Sequence, residues 1–215
     1  MGLLPEEHKQ HVKEELNQRL VNKVKLVVFT QETECPFCKE TRELIQEMSE
    51  LSDKIEVAVY DFMKDKDQAA LYKVDKVPAL VILGEKDYGI RYYGLPFGYE
   101  FQTLMEDLVA VSNRNSGLSE TTRDLLKTVD KPVHIQVLVT LTCPYCPIIA
   151  GMAHKFTMEN DLIKADVIDV NEFLQIGIKY NVMGVPKTVI NEKVEFLSVV
   201  PEEVFVGHVL DALRV

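Results

Sequence analysis

The sequence predicts an α/β protein of two tandem modules, each a central mixed sheet covered by helices, and three observations carry this reading. All four cysteines fall into two Cys-x-x-Cys units, Cys35-Pro36-Phe37-Cys38 and Cys143-Pro144-Tyr145-Cys146. Each unit is followed by a proline, Pro78 or Pro186, 43 residues after its first cysteine. At a constant offset of 108, Asp61 pairs with Asp169, Tyr72 with Tyr180 and Val77 with Val185, so the intervening elements have equal lengths in the two halves. Further on the offset falls to 104, pairing Ile90 with Val194 and Phe101 with Phe205, which gives the first half a turn four residues longer.

The elements follow in order. Residues 5–22 open on Pro5 and place Leu16 and Leu20 on one face of an amphipathic helix. Lys25 to Thr30 is a short apolar strand without polar alternation, as expected when both faces of a sheet are covered. The first dithiol ends the next loop, and Lys39 to Leu51 continues as a helix with Leu44, Ile45 and Met48 at helical spacing. Ile55 to Asp61 reads as a strand, Asp65 to Tyr72 as a short helix, Ala79 to Leu83 and Gly89 to Tyr93 as strands, and Tyr99 to Val111 as a closing helix. The polar, turn-prone run Asn113-Arg114-Asn115-Ser116-Gly117 marks the boundary, dividing the chain into modules 1–116 and 117–215.

The second module repeats the order, with a helix at Ser119 to Thr128, a strand at Val133 to Thr140 and a dithiol helix running through Met158. A strand at Ala165 to Asp169, a helix at Glu172 to Tyr180, strands at Lys187 to Ile190 and Val194 to Val199, and a helix from Pro201 to Leu213 complete it. Two mixed sheets covered by helices are implied, with a connection so short that the interface between the modules is expected to be tight and to restrict their relative motion.

At 215 residues and 47% hydrophobic content, the chain can build two cores of ordinary domain size. Asp plus Glu outnumber Lys plus Arg by 34 to 24, a net charge of −10, which argues against nucleic acid as a partner because that binding rests on cationic contacts to phosphate. The sequence shows neither an apolar segment of secretory type nor an 18-residue apolar run, so the expectation is a cytoplasmic protein without a membrane partner. In a reducing cytosol, paired cysteines point to catalysis or metal binding.

A Cys-x-x-Cys pair at a helix start places its first sulfur at the exposed end and its second one turn inward. Unpaired N–H groups and the helix dipole favour negative charge there, so the first thiol ionises below its free pKa of about 8.5. Cys35 and Cys143 are thus the expected nucleophiles, and Cys38 and Cys146 resolve the mixed disulfide by intramolecular attack. Pro36 and Pro144 suit a first turn. Phe37 and Tyr145 offer an apolar rim beside the sulfur or a packing contact. Pro147 has no counterpart at Lys39 and is expected to loosen its helix start, making the two sites inequivalent. Val77-Pro78 and Val185-Pro186 are either plain turns or, given their repeated distance from each dithiol, loops opposite the sulfurs that hold an extended client peptide. Glu32 and Glu34 read as solvated loop charges.

Together, the two motifs at strand-to-helix junctions and the Val-Pro pairs resemble the thioredoxin/glutaredoxin superfamily, and their duplication resembles the glutaredoxin-like protein disulfide oxidoreductases of thermophilic archaea and bacteria. The resemblance implies two tandem thioredoxin-like folds packed together, with Pro78 and Pro186 as cis prolines. It implies formation, reduction or isomerisation of client disulfides, no cofactor beyond the cysteine pairs, and electrons from a thioredoxin-reductase-like flavoenzyme. It also favours Cys143 and Cys146 as the more active pair. In one respect the chain departs from the pattern: the buried acid that thioredoxins carry six residues before the first cysteine is replaced by Phe29 and Val137. Another carboxylate or water must then take the proton; Asp61 and Asp169, which end strands, read equally as caps.

Two rival readings stand beside this one. Four thiolates from two knuckles match a tetrahedral zinc site, although these pairs open long apolar helices in separate modules. A redox-inactive peptide-binding module would recognise clients through Tyr92, Tyr93, Leu95 and Phe97, although the favoured reading packs these residues against Phe101 and the last helix. The five histidines, His8, His11, His134, His154 and His208, show no metal-ligand spacing and read as surface or core residues.

Overall fold

The computed structural model describes residues 2–214; Met1 and Val215, the outer ends of the two expected modules, lie outside the described residues. The first half runs α1 (Glu6–Arg19), β1 (Val24–Thr30), α2 (Cys38–Leu51), β2 (Ile55–Asp61), α3 (Lys66–Leu71), β3 (Ala79–Leu83), β4 (Asp87–Tyr93) and α4 (Glu100–Asn113). The second half runs α5 (Glu120–Lys127), β5 (Val133–Val139), α6 (Cys146–Glu159), β6 (Ile163–Asp169), α7 (Leu174–Lys179), β7 (Lys187–Ile190), β8 (Val194–Leu197) and α8 (Glu202–Asp211). The element order is the one expected from the repeat. None of these helices is long and apolar enough to cross a membrane.

The two expected sheets are one. The strand order is β2-β1-β3-β4-β6-β5-β7-β8, and the halves join where β4 pairs in parallel with β6, Ile90 opposite Ala165 through Tyr93 opposite Ile168. The reason lies in β4, whose Ile90, Arg91, Tyr92 and Tyr93 are all buried. Left as an edge, that strand would expose a row of unpaired backbone groups flanked by large apolar side chains; pairing with β6 satisfies both. Within each half the mixed pattern repeats: β1 is parallel to β2 and antiparallel to β3, as β5 is parallel to β6 and antiparallel to β7.

Both faces carry a core that crosses the seam. On one face Leu16, Leu26, Ile45 and Tyr92 belong to the same cluster as Ile135, Ile149, Phe156 and Phe205. On the other, Val27, Phe29 and Tyr93 join Leu138, Ile168 and Phe173. The apolar runs Leu26 to Phe29 in β1 and Val137 to Val139 in β5 follow from this two-sided burial.

The boundary segment is built from local signals. Arg114 closes α4 in the left-handed region at φ 54°, and the Asn115 N–H returns to the Ala110 carbonyl at 3.1 Å. Ser119 caps α5 by accepting the Thr122 N–H at 3.2 Å.

Candidate active sites

The four cysteines form two disulfides, Cys35–Cys38 and Cys143–Cys146. Each bridges the loop after a central strand and the first residue of the following helix, Cys38 opening α2 and Cys146 opening α6. The outer sulfurs are the more accessible: Cys35 is half-buried, whereas Cys38 is 2% exposed; Cys143 is 7% exposed against 0% for Cys146. Because β1, β4, β6 and β5 all run parallel, both junctions open on the same rim of the sheet. The α2 residues Ile45 and Met48 and the α6 residues Ile149 and Phe156 enter one core cluster, so both dithiol helices cover the same face.

Local hydrogen bonding differs between the sites. The Cys146 N–H donates to Cys143 Sγ at 3.1 Å, placing a helix N-terminal donor on the outer sulfur. In the first site the corresponding Cys38 N–H is 3.4 Å from the Cys35 carbonyl oxygen, and the inner sulfur, Cys38 Sγ, receives the Gln31 N–H at 3.3 Å. Pro147 corrects an expectation: it occupies the first turn of α6 without disrupting it, and the Ile148 N–H reaches the Tyr145 carbonyl at 3.3 Å. Its missing N–H falls where a helix has no acceptor to offer.

The Val77-Pro78 and Val185-Pro186 bonds are both cis. Cys143 Sγ lies 3.8 Å from the Val185 carbonyl oxygen, which brings the second dithiol and its proline loop together. The prolines are held alike, the Pro78 carbonyl accepting the Gly94 N–H at 3.1 Å and the Pro186 carbonyl the Ser198 N–H at 2.9 Å. Phe37 and Tyr145 project into solvent, 41% and 64% exposed, instead of packing.

The surroundings also differ. A cleft of about 470 Å³ at the first dithiol is lined by charged side chains, among them Glu32, Lys39, Arg42, Asp61 and Asp65. A cleft of about 450 Å³ beside the second has Pro144, Pro147, Ile148 and Met152 of one module facing Tyr99 and Thr103 of the other. Asp61 and Asp169 both act as caps, accepting the N–H groups of Met63 and Asn171 at 2.9 Å each.

Phe29 and Val137 are fully buried core residues, and the acid near the second dithiol comes from elsewhere. Glu100, first residue of α4, is 1% exposed, and neither of its carboxylate oxygens has a hydrogen-bond partner. Burial pushes its carboxyl up to about 7; the nearby Thr103 hydroxyl and His154 pull it down, while Asp107 and Asp169 push it further up. It shares a cavity lining with Val139 and Leu141, the residues leading to Cys143. Along the α4–α6 contact, Asp107 meets His154 at 2.6 Å and Thr103 faces Gly151. One turn earlier on both helices, Glu100 falls beside the start of α6, where Cys146 sits. The residue is legible in hindsight as part of a polar stripe, Glu100, Thr103 and Asp107, set among the buried apolar positions Leu104, Leu108 and Val111 of α4. His154 proves to be a core residue, fully buried at the seam, and the Tyr92 hydroxyl donates to the same Asp107 carboxylate at 2.5 Å.

Among the described residues, no group of three or more His, Cys, Asp or Glu side chains converges as a metal site. The redox capacity rests on the two cysteine pairs.

The chain matches the thioredoxin family model over residues 6–106 and a thioredoxin domain model over residues 133–211. It is 31% identical to a protein disulfide oxidoreductase from Aeropyrum pernix, covering 98% of this chain and 94% of that one with a TM-score of 0.92. Among curated proteins it is 28% identical over 154 residues to the F component of the alkyl hydroperoxide reductase of Escherichia coli, covering 72% of this chain, and 26% identical over 184 residues to an NADH dehydrogenase of Bacillus subtilis, covering 84% of it. The chain spans only 28% and 34% of those two proteins' lengths. Two fused thioredoxin folds, each with a disulfide between a central strand and its helix, define a thiol–disulfide oxidoreductase, an enzyme that exchanges disulfides through its own cysteines. More particularly, the chain belongs to the tandem thioredoxin-fold protein disulfide oxidoreductases.

Proposed function

We propose that this oxidoreductase forms, reduces or isomerises disulfides in client proteins in the cytosol, with Cys35 and Cys143 as attacking sulfurs and Cys38 and Cys146 as resolving ones. The observation that carries the reading is the approach of Cys143 Sγ to the Val185 carbonyl beside cis-Pro186. An extended client laid along Val185-Pro186, and along Val77-Pro78 at the other site, would present its sulfur to the outer cysteine, with Tyr145 or Phe37 as an apolar wall. The modules divide at 116/117, a reading supported by the end of α4 at Asn113 and the start of α5 at Glu120.

In the oxidising half-cycle of the dithiol, the Cys143 thiolate attacks a client disulfide, forming a mixed disulfide and expelling one client thiolate. Cys146 gives its proton to Glu100 and attacks Cys143 Sγ, expelling the second client sulfur as thiolate and leaving the internal disulfide. A group near pH 7 is suited to this transfer because it both accepts and returns a proton at working pH. Re-reduction needs an electron donor, and the reductase and dehydrogenase names of the curated relatives support a thioredoxin-reductase-like flavoenzyme as that partner.

The test is a glutathione redox titration read by peptide mass spectrometry, which follows the two cysteine pairs separately. Two reversible intramolecular disulfides are expected, with exchange lost at the second site alone in Cys143→Ser and at the first alone in Cys35→Ser. Thiols that never exchange would overturn the assignment.

A further inference from the structure

We infer that Asp169 links Glu100 and Glu172 into one proton-sharing set across the module seam, so that the protonation state beneath the second dithiol is coupled to groups packed against the helix of the first. The inference rests on Glu100 as the proton acceptor of the proposed function.

The geometry begins at Gly94, which follows β4 with φ +108°. A Cβ built there would fall 2.9 Å from the Asp169 Cβ and 3.0 Å from Glu172 Oε1, so both side chains converge on one point of the first module's backbone. Glu172 Oε1 accepts the next N–H, that of Leu95, at 2.7 Å. Leu95 itself lies in one apolar cluster with Leu44 of α2. On the other side, Asp169 and Glu100 line the same cavity of about 10 Å³, enough for about one water. Into that space comes the Glu100 carboxylate, buried and without a partner on either oxygen.

The electrostatics run along the same path. Burial raises the pKa of Asp169, and that of Glu172 to about 7. The Asp169 charge raises both Glu100 and Glu172, and Glu40, two residues after Cys38 in the first turn of α2, raises Glu172 as well. The other groups bearing on Glu100 are Thr103 and Asp107 on α4 and His154 on α6; Tyr92 on β4 is engaged by Asp107. Carboxylates this close in a low dielectric do not all ionise independently, and they titrate as a set. Glu172 is only partly buried, which gives the set an outlet to solvent.

Consequently the proton that Cys146 gives up as its sulfur bonds to Cys143 and the client sulfur departs with the electron pair need not stay on Glu100. It redistributes over Asp169 and Glu172 and leaves through the partly exposed Glu172, where the second module meets the first. By linkage, whatever changes the charge around Glu40 and Glu172 changes the readiness of Glu100 to accept.

Carboxyl-carbon NMR titration of the full oxidised chain tests this without relying on activity. In Asp169→Asn, which keeps an acceptor for the Asn171 N–H, the midpoints of both Glu100 and Glu172 should fall by about half a pH unit or more. In Glu172→Gln the Asp169 midpoint should fall. The pH midpoint for oxidation of the second dithiol should move down with that of Glu100 in Asp169→Asn. Midpoints for Glu100 and Glu172 that stay in place in Asp169→Asn would overturn the coupling. Should the carboxylates move together while Glu100→Gln leaves the pH profile of the second dithiol untouched, the coupling stands and the proton-acceptor role of Glu100 falls.

Discussion

The Tyr99 N–H, at the threshold of α4 in the first module, donates to the Leu141 carbonyl at 3.1 Å, two residues before Cys143. The loop that presents the second dithiol is therefore anchored by the other module. Beside that bond lies Gly98, at φ +60°, where a Cβ would collide with the same carbonyl oxygen. Gly98→Ala should cost about 1–3 kcal/mol of stability and slow exchange at the second dithiol while sparing the first. Urea unfolding together with site-resolved trapping of mixed disulfides measures both effects.

Glu100 gives a kinetic prediction. If it accepts the proton of Cys146, oxidation of the second dithiol accelerates as pH rises through about 7, where the carboxyl ionises. Glu100→Gln should abolish that limb and lower the rate at pH 8 by roughly 10²-fold. Single-turnover oxidation in a Cys35→Ser, Cys38→Ser background reports it, and an unchanged profile would remove Glu100 from the chemistry.

The same residue predicts a stability profile. Its carboxyl rises from 4.5 to about 7 on folding, so the folded chain holds the proton more tightly than the unfolded one. The associated stability is complete below pH 4.5 and is lost as pH rises through 7. Relative to wild type, Glu100→Gln should gain on the order of 1–3 kcal/mol on going from pH 5 to pH 8. Chemical denaturation of the oxidised proteins at the two pH values measures the difference.

Thiol reactivity should separate the outer cysteines. Cys143 Sγ receives the Cys146 N–H, while at the first site the backbone donor goes to the inner sulfur. A donor on the outer sulfur favours its thiolate. Alkylation of the reduced protein across pH should therefore label Cys143 at lower pH than Cys35; the reverse order would show that the surrounding charges, Lys39 and Arg42 at the first site, outweigh the hydrogen bond.

Much of this is legible in the residues. The offset of 108 between cysteines, aspartates and prolines dictates the duplicated order of elements, because spacing survives in a repeat when side chains diverge. The single sheet is not legible: the apolar run at Ile90 to Tyr93 reads the same whether a strand is covered by helices or paired at its edge with another module. Glu100 escapes a reading of the sequence because its chemistry comes from a tertiary contact that breaks the repeat. Its counterpart at the offset of 104 is Val204, and nothing near Cys143 in sequence points to a side chain more than 40 residues upstream. Pro147 looks like an obstacle in sequence, yet its ring falls at a position where a helix start tolerates it.

Fusion of the modules by β4 and β6 repeats one unit by near-translation, without a two-fold axis. Between β1 and β5 lie four strand spacings of about 4.8 Å each, so the two dithiols stand roughly 19 Å apart along one rim, before twist. A client captured covalently at one of them is thereby tethered near the other, at an effective concentration on the order of millimolar. On the proposed function a second exchange would then be intramolecular, and the spacing of the rim would bear on which pairs of client cysteines are served in one encounter.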